Sequence, residues 1–278
     1  MVAVLLALAA SASWGVSDFL GGLASRRLTL ATVMGLTTPI GLVAIGVLVA
    51  IRWQAPPSIS FILWGALTGV LGAAGISSLY RGLTVGRMGV VAPISATAPL
   101  IPVTVGLARG ERPSALQGIG MGLALVGVVL TGREHDSETG RRVASGAIFG
   151  LIAAVTFGGS LISLDQAANS DPYWATLVLR AAATFAVAAA LLVTRSPVRA
   201  PRSVWPTLTA IAVLDIAGTV FFAVSTTKGL ISVVSVLVSL VPVYVAFLAR
   251  FVLHERLERV QLAGASSAVA GVVLISAG

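Results

Sequence analysis

Long apolar runs recur along the chain at nearly even spacing, each ended by a short polar stretch. A helix rises about 1.5 Å per residue, so about 20 apolar residues cross a hydrocarbon layer of about 30 Å. Ten runs meet that length: 3–23, 31–51, 60–80, 89–108, 114–132, 144–164, 174–194, 204–226, 230–251 and 260–277. Their connections carry Pro, Gly, Arg or Asp, as in Gln54-Ala55-Pro56-Pro57, Gly110-Glu111-Arg112-Pro113 and Asp171-Pro172. The pattern predicts an all-α membrane protein of ten transmembrane helices. The first run contains Ala10-Ser11-Ala12, which resembles a signal-peptidase site, but no basic residue precedes it and the apolar stretch continues. A retained first helix is therefore expected.

The longest polar segment, Arg133 to Arg142, divides the chain almost in half, and the halves match when the second is slid back by 143 residues. Trp14-Gly15 then falls on Phe157-Gly158, Ser17 on Ser160, Gly75 on Gly218, Gly86 on Gly229, Val90-Val91 on Val233-Val234 and Pro99 on Pro242. One further residue of shift aligns Glu111-Arg112 with Glu255-Arg256, Gln117 with Gln261 and Gly127 to Leu130 with Gly271 to Leu274. The Glu-Arg and Gln matches are not apolar, so duplication accounts for the register better than shared hydrophobicity. The expected organisation is a first five-helix repeat over 1–132, a polar linker over 133–143 and a second repeat over 144–278. Five is odd, so a tandem copy enters the membrane from the opposite side. The halves are then two inverted repeats about a pseudo-two-fold axis in the membrane plane, an arrangement suited to alternating access.

Composition supports the membrane reading, with 57% hydrophobic and only 10% charged residues, against about a quarter charged in soluble domains. Net charge is +8, which in a soluble protein would suggest an acidic partner. Here Arg26-Arg27, Arg141-Arg142, Arg199 and Arg202 lie in gaps between apolar runs, where they suit lipid headgroups; nucleic acid is not an expected partner. Thirteen of the 18 Lys and Arg follow odd-numbered helices and four follow even-numbered ones, which predicts both termini outside. Cysteine is absent, and His135 and His254 lie in different polar loops. With no phosphate loop, nucleophile elbow or His-Glu metal motif, neither an enzyme nor a cofactor is expected.

Ionisable groups within a membrane cost about 2.5–3.5 kcal/mol each on insertion scales, so each calls for a reason. Asp215 lies halfway along the eighth helix, about 16 Å from either end, and is either a substrate or proton site or a structural carboxylate bonded to neighbouring helices. Arg180, early in the seventh helix, either snorkels to headgroups, pairs with Asp165 or Asp215, or binds an anionic group. Asp18, past the middle of the first helix, either lines a cavity beside Trp14 and Ser17 or meets Arg26 or Arg27 at the interface. Trp14 and its repeat mate Phe157 both fall near mid-membrane, where they form the walls of a central pocket or simply pack. Pro93, Pro99 and Pro102 in helix 4 and Pro242 in helix 9 each remove a backbone donor, predicting kinked or broken helices. Glu111 and Glu255 read as helix-start caps, and Gly118/Gly122 and Gly146/Gly150 have the spacing for close helix contact.

Trp14-Gly15, the Arg81-Gly82-Leu83 turn, and Leu253-His254-Glu255-Arg256-Leu257 through Gln261 and Gly264 to Gly271-Val272-Val273-Leu274 resemble the ten-helix EamA-type branch of the drug/metabolite transporter superfamily. With the duplication, the resemblance covers nearly the whole chain. It implies a bundle in which helices of both halves surround a central cavity, used to export amino acids or related metabolites from the cell across the cytoplasmic membrane. It also implies Trp14, Ser17, Phe157 and Ser160 as central substrate-binding positions, with Tyr80 and Asp215 as cavity residues. Asp18, Arg180 and Asp215 are the candidates for charge coupling, with coupling to protons through Asp215 as one possibility. The alternative function within the same fold is a lipid-carrier flippase, which requires a lateral opening between helices.

Overall fold

The computed structural model describes the chain except residues 58, 86–90, 92–93, 132–140 and 255–258, and except the side chains of 80, 83, 84 and 141–145. The helices are α1 (Val2–Ser25), α2 (Leu30–Arg52), α3 (Ser60–Val85), α4 (Leu100–Ala108), α5 (Ala115–Thr131), α6 (Arg141–Ala168), α7 (Pro172–Thr194), α8 (Trp205–Thr226), α9 (Ile231–Val238), α10 (Val241–Val252) and α11 (Arg259–Ala277). Among the described residues eight stretches, with α9 and α10 taken together, are long and apolar enough to cross a membrane, and α5 is a shorter apolar helix. Large apolar side chains such as Val43, Leu63, Phe185, Leu192, Phe247 and Phe251 are exposed along these helices. A hydrocarbon solvent accounts for that surface, and the chain is a multi-pass membrane protein.

Helix starts are marked by the residues that satisfy free amides. Thr29 accepts from the Thr32 amide at 3.2 Å. Asp171 accepts from the Tyr173 and Trp174 amides, with Pro172 opening α7. Ser114 and Gln117 cap α5 reciprocally, each side chain bonding the other's amide. The linker expected over 133–143 falls mostly outside the described residues, and α6 already begins at Arg141, earlier than the apolar pattern alone indicated.

The proline-bearing segments are interrupted in both halves. Residues 96–99 form turns ahead of α4, and Ser239 and Leu240 form turns between α9 and α10. These places differ by the same 143 residues as Pro99 and Pro242. Neither proline can donate to the carbonyl four residues before it, so the helical ladder fails at equivalent points. Pro93 lies outside the described residues.

Close helix crossings also occur in matched pairs. A Cβ on Gly218 would stand 2.7 Å from the Trp14 ring, and one on Gly75 would stand 2.8 Å from the Phe157 ring. A Cβ on Gly15 would meet Tyr244 Cβ and the Val241 carbonyl, while one on Gly158 would meet Ile101 Cβ and the Ala98 carbonyl. Each partner in the second contact is the repeat mate of a partner in the first. The tightest seam joins α5 to α11, where Gly120 faces the Gly271 backbone and Gly127 faces that of Gly264. Gly118 and Gly122, expected to make close contacts, have nothing within 4 Å of an added Cβ. Their correct spacing lies on the wrong face of α5; two residues along, Gly120 turns toward α11. Gly150 does make a close approach, to Val91 and Ile94.

Candidate functional site

The α1–α8 crossing brings most of the sequence-selected residues together. Gly218 gives the Trp14 indole room to lie against α8, where its Nε1 donates to the Asp215 carbonyl at 3.2 Å. Ser17, one turn further, donates to the Ile211 carbonyl at 3.0 Å and is buried. Its hydroxyl is therefore committed to holding α1 against α8. Phe222 completes this wall, its ring 6.0 Å from that of Trp14.

The matching crossing joins α3 of the first half to α6 of the second, with Phe157 against Gly75. Ser160 bonds back to the Phe157 carbonyl within its own helix at 2.8 Å. Tyr80 belongs to α3, but its side chain lies outside the described residues. The two crossings differ in charge, because Asp18, Arg180 and Asp215 have Leu161, Thr37 and Gly72 as repeat mates. The polar centre therefore belongs to the α1–α7–α8 side alone.

Arg180 reaches from α7 to α8 and donates through Nη2 to Asp215 Oδ2. Arg180 is only 8% exposed, so it does not snorkel to the headgroups. Its Nε is buried with no acceptor, and Gly41 of α2 lies directly against it; a Cβ there would stand 3.3 Å from that nitrogen. Asp215 keeps 35% of its side chain accessible. Asp18 is exposed, and it lies close enough to Asp215 for the two carboxylates to repel. Among the described residues no hydrogen bond or ion pair reaches Asp18. The centre thus holds two carboxylates and one guanidinium.

Three further polar contacts tie the helices on the face where the chain begins. Arg52 pairs with Asp171 at 3.1 Å and lies 3.8 Å from the Tyr173 ring centroid. Arg109 pairs with Asp165 at 3.6 Å. Glu111 accepts from the Ile231 amide at 2.8 Å and the Ser232 amide at 3.0 Å. Glu111 does cap a helix, but it caps α9 in the other half and not the adjacent α5. The sequence held one signal for this, since Leu230 at the start of α9 has no side-chain oxygen to offer. Glu255 lies outside the described residues.

Glu111→Gln should keep the shape of this clasp but lose its charge. A loss of about 1–2 kcal/mol is expected, because hydrogen bonds to charged groups contribute about 1.5–3 kcal/mol and this one is partly solvated. Thermal unfolding in detergent measures it, and an unchanged midpoint would show that the clasp contributes no stability. Among the described residues no group of three His, Asp or Glu could hold a metal ion. A separate groove lined by Ala96, Thr97, Leu100, Leu125 and Leu130 carries no ionisable group.

A model of the EamA-like transporter family matches residues 1–133 and again residues 144–277. A crystal structure 17% identical in sequence superposes with a TM-score of 0.79, covering 98% of this chain and 95% of its own. At that identity the likeness speaks for the fold alone. No curated protein matches the sequence.

Proposed function

This chain belongs to the EamA-like transporter family, and from that premise we propose that it is a secondary active transporter exporting a small organic metabolite, an amino acid or related solute, across the cytoplasmic membrane. The family is one of membrane transporters, so the protein is not an enzyme. Ten transmembrane helices, five in residues 1–132 and five in 144–278 joined by 133–143, surround the solute in this reading. The inverted relation of the halves is supported by the crossed contacts Trp14–Gly218 and Phe157–Gly75, since a two-fold axis turns each into the other.

The observation that carries the reading is the Arg180–Asp215 pair at the middle of the spans, beside Asp18 and Trp14. Charges at that depth are costly unless they face a cavity and a ligand. Trp14, Ser17, Tyr80, Phe157, Ser160 and Asp215 are the proposed solute-binding positions, with Asp18, Arg180 and Asp215 coupling charge to movement. The contacts Arg52–Asp171, Arg109–Asp165 and Glu111 to α9 link helices on the face on which the chain begins. Alternating access requires them to part while the opposite face closes.

Counterflow in proteoliposomes with a metabolite panel tests the proposal. Exchange of at least one solute is expected, with Trp14→Ala reducing it by about tenfold or more, the effect of losing about 1.4 kcal/mol of binding. No exchange of any solute under any imposed gradient would overturn it.

A further inference from the structure

Two carboxylates share the polar centre, yet they differ in what holds them. Asp215 is joined to Arg180, and its helix is further fixed by Trp14, which bonds the Asp215 carbonyl. Asp18 has neither a hydrogen bond nor a cation among the described residues. Arg180 does not supply one, because its bonded nitrogen is turned to Asp215 and its Nε is buried against Gly41 without an acceptor. Among the described residues, the elements packed most on α1 are α8, α10, α9 and α2. Asp215 is the charged group that α8 turns toward Asp18; α10 presents Tyr244 against Gly15; α9 carries no ionisable residue. Arg52 ends α2 and Arg250 lies in the last turn of α10, and among the described residues neither pairs with Asp18.

We propose that Asp18, and not Asp215, is the carboxylate that takes up and releases the coupling proton. This deepens the transporter reading and rests on it. With Arg180 neutralising Asp215, the centre keeps one uncompensated negative charge, and a bilayer interior penalises that charge until a cation meets it. A proton on an Asp18 oxygen removes both the charge and its repulsion from Asp215 in one step. The proton arrives from water on one face, leaves to water on the other, and leaves Asp18 as a carboxylate each time. Arg180 is the positioning residue: by pairing with Asp215 it leaves Asp18 as the exchanging group.

Dicyclohexylcarbodiimide adds to a carboxylic acid in an apolar site and not to a carboxylate, so it reads protonation without needing the solute. The purified wild-type chain would be labelled across the neutral pH range and its peptides mapped by mass. Labelling is expected on Asp18, falling as pH rises, with Asp215 unlabelled. In Arg180→Gln, label should also appear on Asp215, because its fixed counter-ion is gone. Label on Asp215 without label on Asp18 in the wild type overturns the proposal, as does absence of label from both. Equal labelling of both in the wild type overturns the role given to Arg180. A failure of solute counterflow would leave this labelling pattern unchanged, so the two proposals fail separately.

Discussion

Arg180→Gln should abolish solute exchange and cost about 3 kcal/mol of stability, the largest loss expected from any single change at the polar centre. Removing one member of a buried pair strands the other, and about 3–5 kcal/mol is usual for that. The lower figure applies because Asp215 keeps 35% of its side chain accessible, so water relieves part of the penalty. The double variant Arg180→Gln/Asp215→Asn should regain most of the stability, since no charge is then left alone. It should not regain transport. Thermal unfolding of the four combinations in one detergent gives the coupling between the two residues, and simple additivity would show that the pair contributes nothing.

Gly127→Leu should separate α5 from α11 and prevent accumulation of folded protein. A Cβ at Gly127 would already stand 2.5 Å from the Ala268 nitrogen and the Gly264 oxygen, both backbone atoms that cannot rotate away. Overpacking a tight core costs about 1–3 kcal/mol for small additions, and leucine here adds four carbons against a rigid wall. Gly122→Leu on the same helix should be tolerated, because nothing lies within 4 Å of its added Cβ. Comparing the monodisperse yield of the two variants separates loss of contact from loss of glycine as such. Equal yields would show that the seam is not required.

Much of the fold was legible because membrane helices must satisfy their own backbone and must reach a fixed length. The expected boundaries of α1, α2, α5, α7, α8 and α11 lie within two residues of the observed ones. The breaks before α4 and α10 were legible from proline alone. The centre was legible in part: the sequence offers two carboxylates, Asp165 and Asp215, as partners for Arg180, and only the packing of α7 on α8 selects Asp215. Asp165 instead meets Arg109, which the linear pattern gave no reason to choose. The clasp of Glu111 on α9 spans about 120 residues, and no local rule reaches that far. Likewise, four-residue spacing placed Gly118 and Gly122 on one helix face without saying whether a neighbour lies there; the true seam uses Gly120 and Gly127.

That seam has a consequence for how the two halves can differ. Gly120 and Gly127 stand 144 residues before Gly264 and Gly271, and each meets the other's mate. The contact is therefore self-complementary, as between identical subunits of a two-fold dimer, although both sides belong to one polypeptide. A change on either side confronts the same surface, so neither copy can drift there alone. The α1–α8 and α3–α6 crossings are instead two separate contacts built from repeat mates, and one can alter without its counterpart. It is at the first of these that Asp18 and Asp215 lie, where the repeat has Leu161 and Gly72: the matched contacts keep the scaffold alike and leave the charge free to be lopsided.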